Sequence, residues 1–320
     1  MRVFIIGSGT FGTAIANQLA CNPNNDVVIF SRSENKKNEI NNFHTNKKYF
    51  GDIILNKSLS CTNIYSDIDN ADVIFVALPS SVLQQNIKFF AKYISNEQIV
   101  VNLSKGILNN GNTVFDHLKN LLKSENVVTL KGPSFAAEIM LGSQTILTLG
   151  YSTKYQKEII NKIFKKTCIN LESTRDIVGV EILGIIKNMY AILIGYTEEY
   201  YGSVNTRFMI ISKVFKEIKT LNSSFGGDIE TLFLSCGLGD ICLTSFNDLS
   251  RNRSLGEAIG KGVYSSIENK NMIVEGVNSI KVISSIIKPS TLSKTPLLRK
   301  LSLFFDRKLD KFELDLNSLI

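Results

Sequence analysis

Histidine is nearly missing from this chain and cysteine is sparse, and both shortages narrow the chemistry. The 320 residues include two histidines, His44 and His117. Schemes built on a histidine base or a histidine-rich metal cluster therefore have few candidates, and an acid–base catalyst is expected among other side chains. The five cysteines, Cys21, Cys61, Cys168, Cys236 and Cys242, are scattered, odd in number and contain no C-x-x-C pair. Neither a disulfide framework nor a zinc ribbon is indicated, no metal site is expected, and the thiols read as small buried hydrophobes in a reducing cytoplasm. An uninterrupted apolar run is also lacking. The longest, Ile177 to Tyr196, reaches spanning length but contains Glu181, Lys187 and Asn188, each expensive in hydrocarbon, so no membrane span is expected. The apolar stretch after Met1-Arg2 ends at Ile6, too short for a signal peptide, and no export is expected. Basic residues exceed acidic ones, 36 to 29, without gathering into one tract. That pattern suits an anionic small molecule and not nucleic acid.

What is present is enough apolar material, 44% of the residues, for a sizeable core in about two domains. The first half alternates short β-branched runs with longer amphipathic stretches: Val3 to Ile6, Val27 to Phe30, Val73 to Ala77, Ile99 to Asn102, Val127 to Leu130 and Thr145 to Leu149. That rhythm predicts an α/β fold with a doubly wound parallel sheet, its strands covered on both faces and its ligands at their C-terminal ends. Beyond Asp176 helical spacing dominates, through Ile210 to Leu221, Gly256 to Lys261, Val274 to Ile287 and Thr295 to Phe305. The expected division is residues 1–178 for nucleotide binding and 179–320 for an all-helical domain. No Pro/Gly/Ser-rich linker separates them, so the Ile177 to Tyr196 helix is expected at the junction and the active site in the cleft.

Gly7, Gly9 and Gly12 form G-x-G-x-x-G between the first strand and a helical pattern. Gly7 permits the tight turn, Gly9 lets backbone approach a pyrophosphate, and Gly12 allows close helix–strand packing, with the helix N-terminus facing the phosphates. After the second strand, where an NAD site commonly places an acid, the chain reads Phe30-Ser31-Arg32. A 2′-phosphate suits that better, favouring NADP over NAD, although Arg32 is also explained as a solvated surface arginine. Lys105 follows the strand Ile99 to Asn102 and can reach a substrate oxygen or phosphate, or simply be solvated. Lys131-Gly132-Pro133-Ser134 stands at another strand end.

Lys187 differs, because Val180, Leu183, Gly184, Ile186, Ala191 and Ile194 leave little polar surface around it. Desolvation favours its neutral form and a role in proton exchange; a lysine snorkelling to the domain edge is the bland alternative. Asp240, after a glycine turn, with Thr244 at helical i+4 spacing, could orient it while opposing the desolvation. Ser250 reads as an N-cap whose first-turn amides, with Arg251, suit a phosphate; capping alone also explains it. Gly256 to Lys261 fails the phosphate-loop spacing.

Gly7 to Ala14, with Ala71-Asp72-Val73 through Leu78-Pro79-Ser80, Ser104-Lys105-Gly106, Gly132 to Ala136, Val178 to Asn188, Asn205-Thr206-Arg207, Gly237 to Asp240, Ser250-Arg251-Asn252 and Val274-Glu275-Gly276, closely resemble the bacterial-type NAD(P)-dependent glycerol-3-phosphate dehydrogenases. They run in family order along nearly the whole chain. The resemblance implies a Rossmann-type domain joined to a helical domain and reduction of dihydroxyacetone phosphate to sn-glycerol 3-phosphate. It implies proton exchange by Lys187, and substrate contacts from Lys105, Gly132, Ser134, Asp240, Thr244, Ser250, Arg251 and Asn252. Cofactor contacts are implied for Thr10, Phe11, Ser31, Arg32, Tyr49, Ala136, Ile273 and Glu275, with Lys105 and Arg251 near the cofactor as well. A homodimer and a supply of phospholipid backbones follow from it too. Phe11 stands where tryptophan or tyrosine is common, Gln144 replaces a frequent proline, and Ile211-Ser212-Lys213 replaces Thr-Arg-Gly. Two rivals are another two-domain β-hydroxyacid or ketoacid reductase, and a non-catalytic dinucleotide-sensing module, against which Lys105, Lys187 and Asp240 together argue.

Overall fold

The computed structural model describes residues 1–264, 274–309 and 311–316. The chain divides into two compact units, one of Met1–Leu108 with Asn112–Ile177, the other of Asn109–Gly111 with Val178–Ile320. The first unit holds strands β1 (Arg2–Ile6), β2 (Asp26–Phe30), β3 (Leu59–Thr62), β4 (Val73–Val76), β5 (Ile99–Asn102), β6 (Val127–Lys131), β7 (Thr145–Gly150) and β8 (Ile169–Thr174). They form one sheet in the order β3-β2-β1-β4-β5-β6-β7-β8, and the strands from β3 to β6 in that order are all parallel. Strand order reverses direction between β1 and β4, which opens a crevice at their C-terminal ends.

Alternation along the strands builds a core on each face. Val3, Ile5, Val27, Ile29 and Phe75 join one apolar cluster, and Phe4, Ile6, Val28, Phe30 and Ile74 the other. Both faces being covered explains the nearly unbroken apolar runs of the central strands. The purely parallel sheet expected from the sequence needs one correction: β7 runs antiparallel to β6, with Leu130 opposite Leu149, and β8 then runs parallel to β7. Burial on two faces makes a run such as Thr145 to Leu149 apolar whichever way it points, so strand direction left no mark in the sequence.

The second unit is helical among its described residues. Its core helix, Ile177–Tyr201, is long and apolar enough to cross a membrane, but its most apolar window is 89% buried inside the protein. A helix apolar on every side is what an interior position demands. Of the cysteines, Cys61, Cys168 and Cys236 are buried and Cys242 partly so, whereas Cys21 is exposed, against the expectation of burial.

Glu217, on the helix Val204–Ser224, ties three helices together. Its carboxylate accepts from the Tyr190 hydroxyl at 2.7 Å and from the backbone N–H groups of Leu297 at 2.7 Å and Leu298 at 3.1 Å. The last two are orphan donors at the start of the helix Pro296–Phe305, whose own N-cap residue Thr295 makes no side-chain cap. Burial pushes the Glu217 carboxyl up to about 7, although its hydrogen bonds pull the other way. Since the folded value lies above the ordinary 4.5, this group's contribution to stability is fully present below the ordinary value and is lost as pH rises through the folded one, by up to about 3 kcal/mol. Urea unfolding midpoints measured across that window should fall with rising pH, and Glu217→Gln, which keeps an acceptor but does not titrate, should flatten the fall. An unchanged slope in the variant would assign the pH dependence to other groups.

Candidate active site

In the first unit the chain leaves β1 through Gly7, whose φ of +122° only glycine adopts easily; a Cβ there would lie 2.7 Å from the Ala77 carbonyl just beyond β4. Gly12 sits in the first turn of the helix Thr10–Leu19, where a Cβ would meet the Gly7 carbonyl oxygen at 2.0 Å. Gly9, the N-cap, has nothing within 4 Å of its Cβ position. Two glycines thus bring helix and strand together, and the third leaves space in front of the helix N-terminus. That space belongs to a cavity of about 370 Å³ at the β1–β4 switch point, lined among others by Gly7, Gly9, Ser31, Arg32, Lys36 and Tyr49. Size, glycine loop and helix N-terminus fit the adenosine-pyrophosphate half of a dinucleotide.

Arg32 is exposed at the rim and donates to Asn86 Oδ1 at 3.4 Å. Ser31 is buried and accepts from the Ser33 N–H at 3.3 Å. Tyr49 is 37% exposed. Thr10, Phe11, Gly12, Lys105 and Ala136 do not line this cavity. Thr10 is exposed at the first turn of the helix, while Phe11 and Ala136 pack on the apolar core beneath. Lys105, Gly132 and Ser134 are brought together elsewhere on the same unit. Lys105 Nζ donates to the Gly132 carbonyl at 3.1 Å, and Ser134 Oγ donates to the same oxygen at 2.9 Å.

In the second unit Lys187 lies midway along Ile177–Tyr201 with its side chain 6% exposed. Nζ donates to Asp240 Oδ1 at 2.6 Å and to Thr244 Oγ1 at 2.7 Å. Asp240 opens the helix Asp240–Phe246, so its i+4 partner Thr244 projects from the same face. The turn before it is a continuous π-helical one, Ser235–Gly239, in place of the glycine turn expected. The carboxylate offsets the hydration the ammonium loses on burial.

The neighbouring Asn188 is held by Asn252, whose Nδ2 donates to Asn188 Oδ1 at 3.1 Å; Asn252 Oδ1 accepts from the Gly276 N–H at 3.0 Å. This bond depends on glycine-to-backbone packing. A Cβ on Gly256, in the helix Arg251–Gly260, would stand 1.9 Å from the Ile192 carbonyl, and one on Gly195 would stand 2.3 Å from that of Arg253. Ser250 caps the helix Arg251–Gly260, accepting from the Arg253 N–H at 3.3 Å, and Arg251 is exposed at its first turn. Glu275 opens the helix Glu275–Ile286. Ile273 lies outside the described residues.

With both halves of the constellation in view, comparison with known proteins decides the family. Residues 2–157 match the N-terminal model of NAD-dependent glycerol-3-phosphate dehydrogenase, and residues 176–311 match its C-terminal model. This chain belongs to the NAD-dependent glycerol-3-phosphate dehydrogenase family. Among its relatives, the glycerol-3-phosphate dehydrogenase [NAD(P)+] of Methanothermobacter thermautotrophicus is 32% identical over 289 residues, 89% of this chain and 88% of the relative. The protein of that name from Malacoplasma penetrans is 30% identical and covers 98% of this chain and 94% of its own length. A crystal structure of glycerol-3-phosphate dehydrogenase from Coxiella burnetii superposes with a TM-score of 0.84 at 22% identity, covering 97% of this chain and 95% of that one. The last likeness supports the fold: a Rossmann-type sheet joined to a helical domain.

For this family member the structure adds residues that the sequence did not single out. Lys36 lines the cavity at the glycine loop with Arg32; its Nζ donates to the Ser8 carbonyl at 3.3 Å and lies 4.7 Å above the Tyr49 ring. The readable signal was Ser33, the N-cap that accepts from the Lys36 N–H and so starts a helical turn turning Lys36 back toward the loop. Lys131, only 1% exposed, stands in a strand-end segment whose sequence assigns it no role.

Proposed function

We propose that this chain interconverts dihydroxyacetone phosphate and sn-glycerol 3-phosphate, with Lys187 as the proton-exchanging group. What supports this best is the buried contact of Lys187 Nζ with both Asp240 and Thr244. The dinucleotide, when bound, supplies or accepts the hydride at the substrate's C2. Lys187 donates a proton to the oxygen on that carbon as negative charge develops there, and regains it from solvent after release. Asp240 and Thr244 fix the direction of Nζ, so that little reorganisation is needed when the charge appears. Lys105 holds a substrate oxygen, backed by Gly132 and Ser134. The Ser250-capped helix start with Arg251 and Asn252 takes the phosphate. Thr10, Phe11, Ala136, Ile273 and Glu275 complete the cofactor contacts in this reading, in which the units at 1–178 and 179–320 supply cofactor and substrate residues respectively. A cytoplasmic homodimer that supplies phospholipid backbones extends the same reading.

The direct test follows reduced-cofactor absorbance with dihydroxyacetone phosphate, NADH and NADPH run in parallel, against a panel of ketoacids. Turnover confined to a ketoacid would overturn the substrate assignment. NADPH is the expected preference, because Arg32 and Lys36 place two cations at the cavity's rim where an NAD site commonly has an acid. Arg32→Ala should raise the KM for NADPH about 10-fold, as loss of a charge-assisted bond does, and leave that for NADH within about twofold. Equal rises for both cofactors would remove Arg32 from the 2′-phosphate.

A further inference from the structure

A lysine in the middle of a sheet is costly, and Lys131 ends β6 with 1% of its surface exposed. The backbone pairing of β5 with β6 closes at Asn102 opposite Thr129. Lys131 lies just past that last pair, and its Nζ donates to the Asn102 carbonyl at 3.1 Å. The side chain thus spans the place where the two strands part. Asn102 in turn shapes the loop that follows: its Oδ1 accepts from the Ser104 N–H at 2.9 Å, and Ser104 Oγ donates to the Leu78 carbonyl at 2.5 Å. Lys105 is the next residue, and it reaches back to the carbonyl of Gly132, the residue after Lys131. Strand end, loop and the two lysines therefore form a closed circuit, through the ammonium groups of Lys131 and Lys105. On its other side Lys131 pairs with Thr148, and Thr148 with Glu172, so the three share one face of the sheet; Thr148 Oγ1 donates to Glu172 Oε1 at 2.7 Å.

From this geometry we infer that Lys131 is a positioning residue for substrate binding, acting through Asn102 and Gly132 to hold Lys105 where it meets the substrate oxygen. The inference rests on the proposed role of Lys105. Loosening a positioned group by about an ångström costs on the order of 10- to 100-fold in catalytic efficiency. Lys131→Met, which keeps the length but not the ammonium, should therefore lower kcat/KM for dihydroxyacetone phosphate about 10-fold, mostly through KM, leaving the KM for NADPH unchanged. Lys131→Arg, which keeps the charge, should recover most of the loss.

The test is a cycle of Lys105→Ala, Lys131→Met and the double variant, with urea unfolding measured on each protein as the check of folding and NADPH binding measured on Lys131→Met. If Lys131 acts through Lys105, the second substitution adds little to the first. Full additivity, an equal loss of NADPH binding, or no rescue by arginine would overturn the inference and leave Lys131 a structural residue only. A Lys105→Ala variant with unchanged KM for the triose phosphate would instead sink the role of Lys105 itself. Should Lys131→Met fail to fold by urea unfolding, Lys131→Gln, polar and neutral, carries the same cycle.

Discussion

Lys187→Ala should lower turnover by about 10²-fold or more while leaving NADPH binding nearly unchanged, because a positioned acid–base group contributes on that scale and Lys187 belongs to the second unit, not to the cavity at the glycine loop. The substitution has a second effect that must be separated from the first. Asp240 is 1% exposed, and deleting its cation leaves a buried carboxylate, a loss worth about 3–5 kcal/mol in comparable buried pairs. A drop in activity could therefore come from a destabilised protein. The pair Lys187→Met with Asp240→Asn resolves this, since it removes both charges and keeps most of the volume. Urea unfolding should show stability restored toward that of the parent, while turnover stays low. Recovery of turnover together with stability would mean that Lys187 holds the helices in place and moves no proton.

How much of this site could be read beforehand depended on how local the physical signal was. The Gly7-Gly9-Gly12 loop was legible because three constraints on one turn leave three glycines at fixed offsets. Lys187 was legible through its apolar neighbours along one helix, and Asp240 with Thr244 through their i+4 spacing. Residues whose roles arise across the fold left weaker traces. Glu217 reads as one more polar residue of an amphipathic helix; its duty as a cap for the helix Pro296–Phe305 appears only when a chain segment 80 residues away arrives. Lys131 sits in a strand whose apolar neighbours say buried, while its own charge says exposed, and a partner such as the Asn102 carbonyl, from another strand, is what reconciles the two. The strands β3, Leu-Ser-Cys-Thr, and β8, Ile-Asn-Leu-Glu-Ser-Thr, escaped the pattern because they are the two edges of the sheet. Half-covered edge strands carry polar residues that resemble loops. The six strands that the sequence did predict lie between them.

The glycine loop gives the other large effect, through the contrast between two of its positions. Gly12→Ala would put a methyl group 2.0 Å from the Gly7 carbonyl oxygen and 3.1 Å from Ala77 Cβ, so something rigid must move. Gly7 cannot, being held at positive φ against Ala77. The helix Thr10–Leu19 is held as well: Ala14, Ile15 and Leu19 are buried, and Gln18 Nε2 donates to the Ile139 carbonyl at 2.9 Å while Gln18 Oε1 accepts from the Cys168 N–H at 3.2 Å. Overpacking against such neighbours costs about 1–3 kcal/mol or more. The displaced helix N-terminus should also weaken NADPH binding by about 10²-fold, as loss of two or more phosphate hydrogen bonds would. Gly9→Ala meets no atom within 4 Å and should leave urea unfolding unchanged. If a pyrophosphate fills that space, Gly9→Ala still weakens binding, now without any loss of stability. Fluorescence titration with NADPH and urea unfolding on both variants separate the outcomes. Stable, tight-binding Gly12→Ala protein would show the loop to be slack, and unimpaired binding by Gly9→Ala would place the phosphates elsewhere.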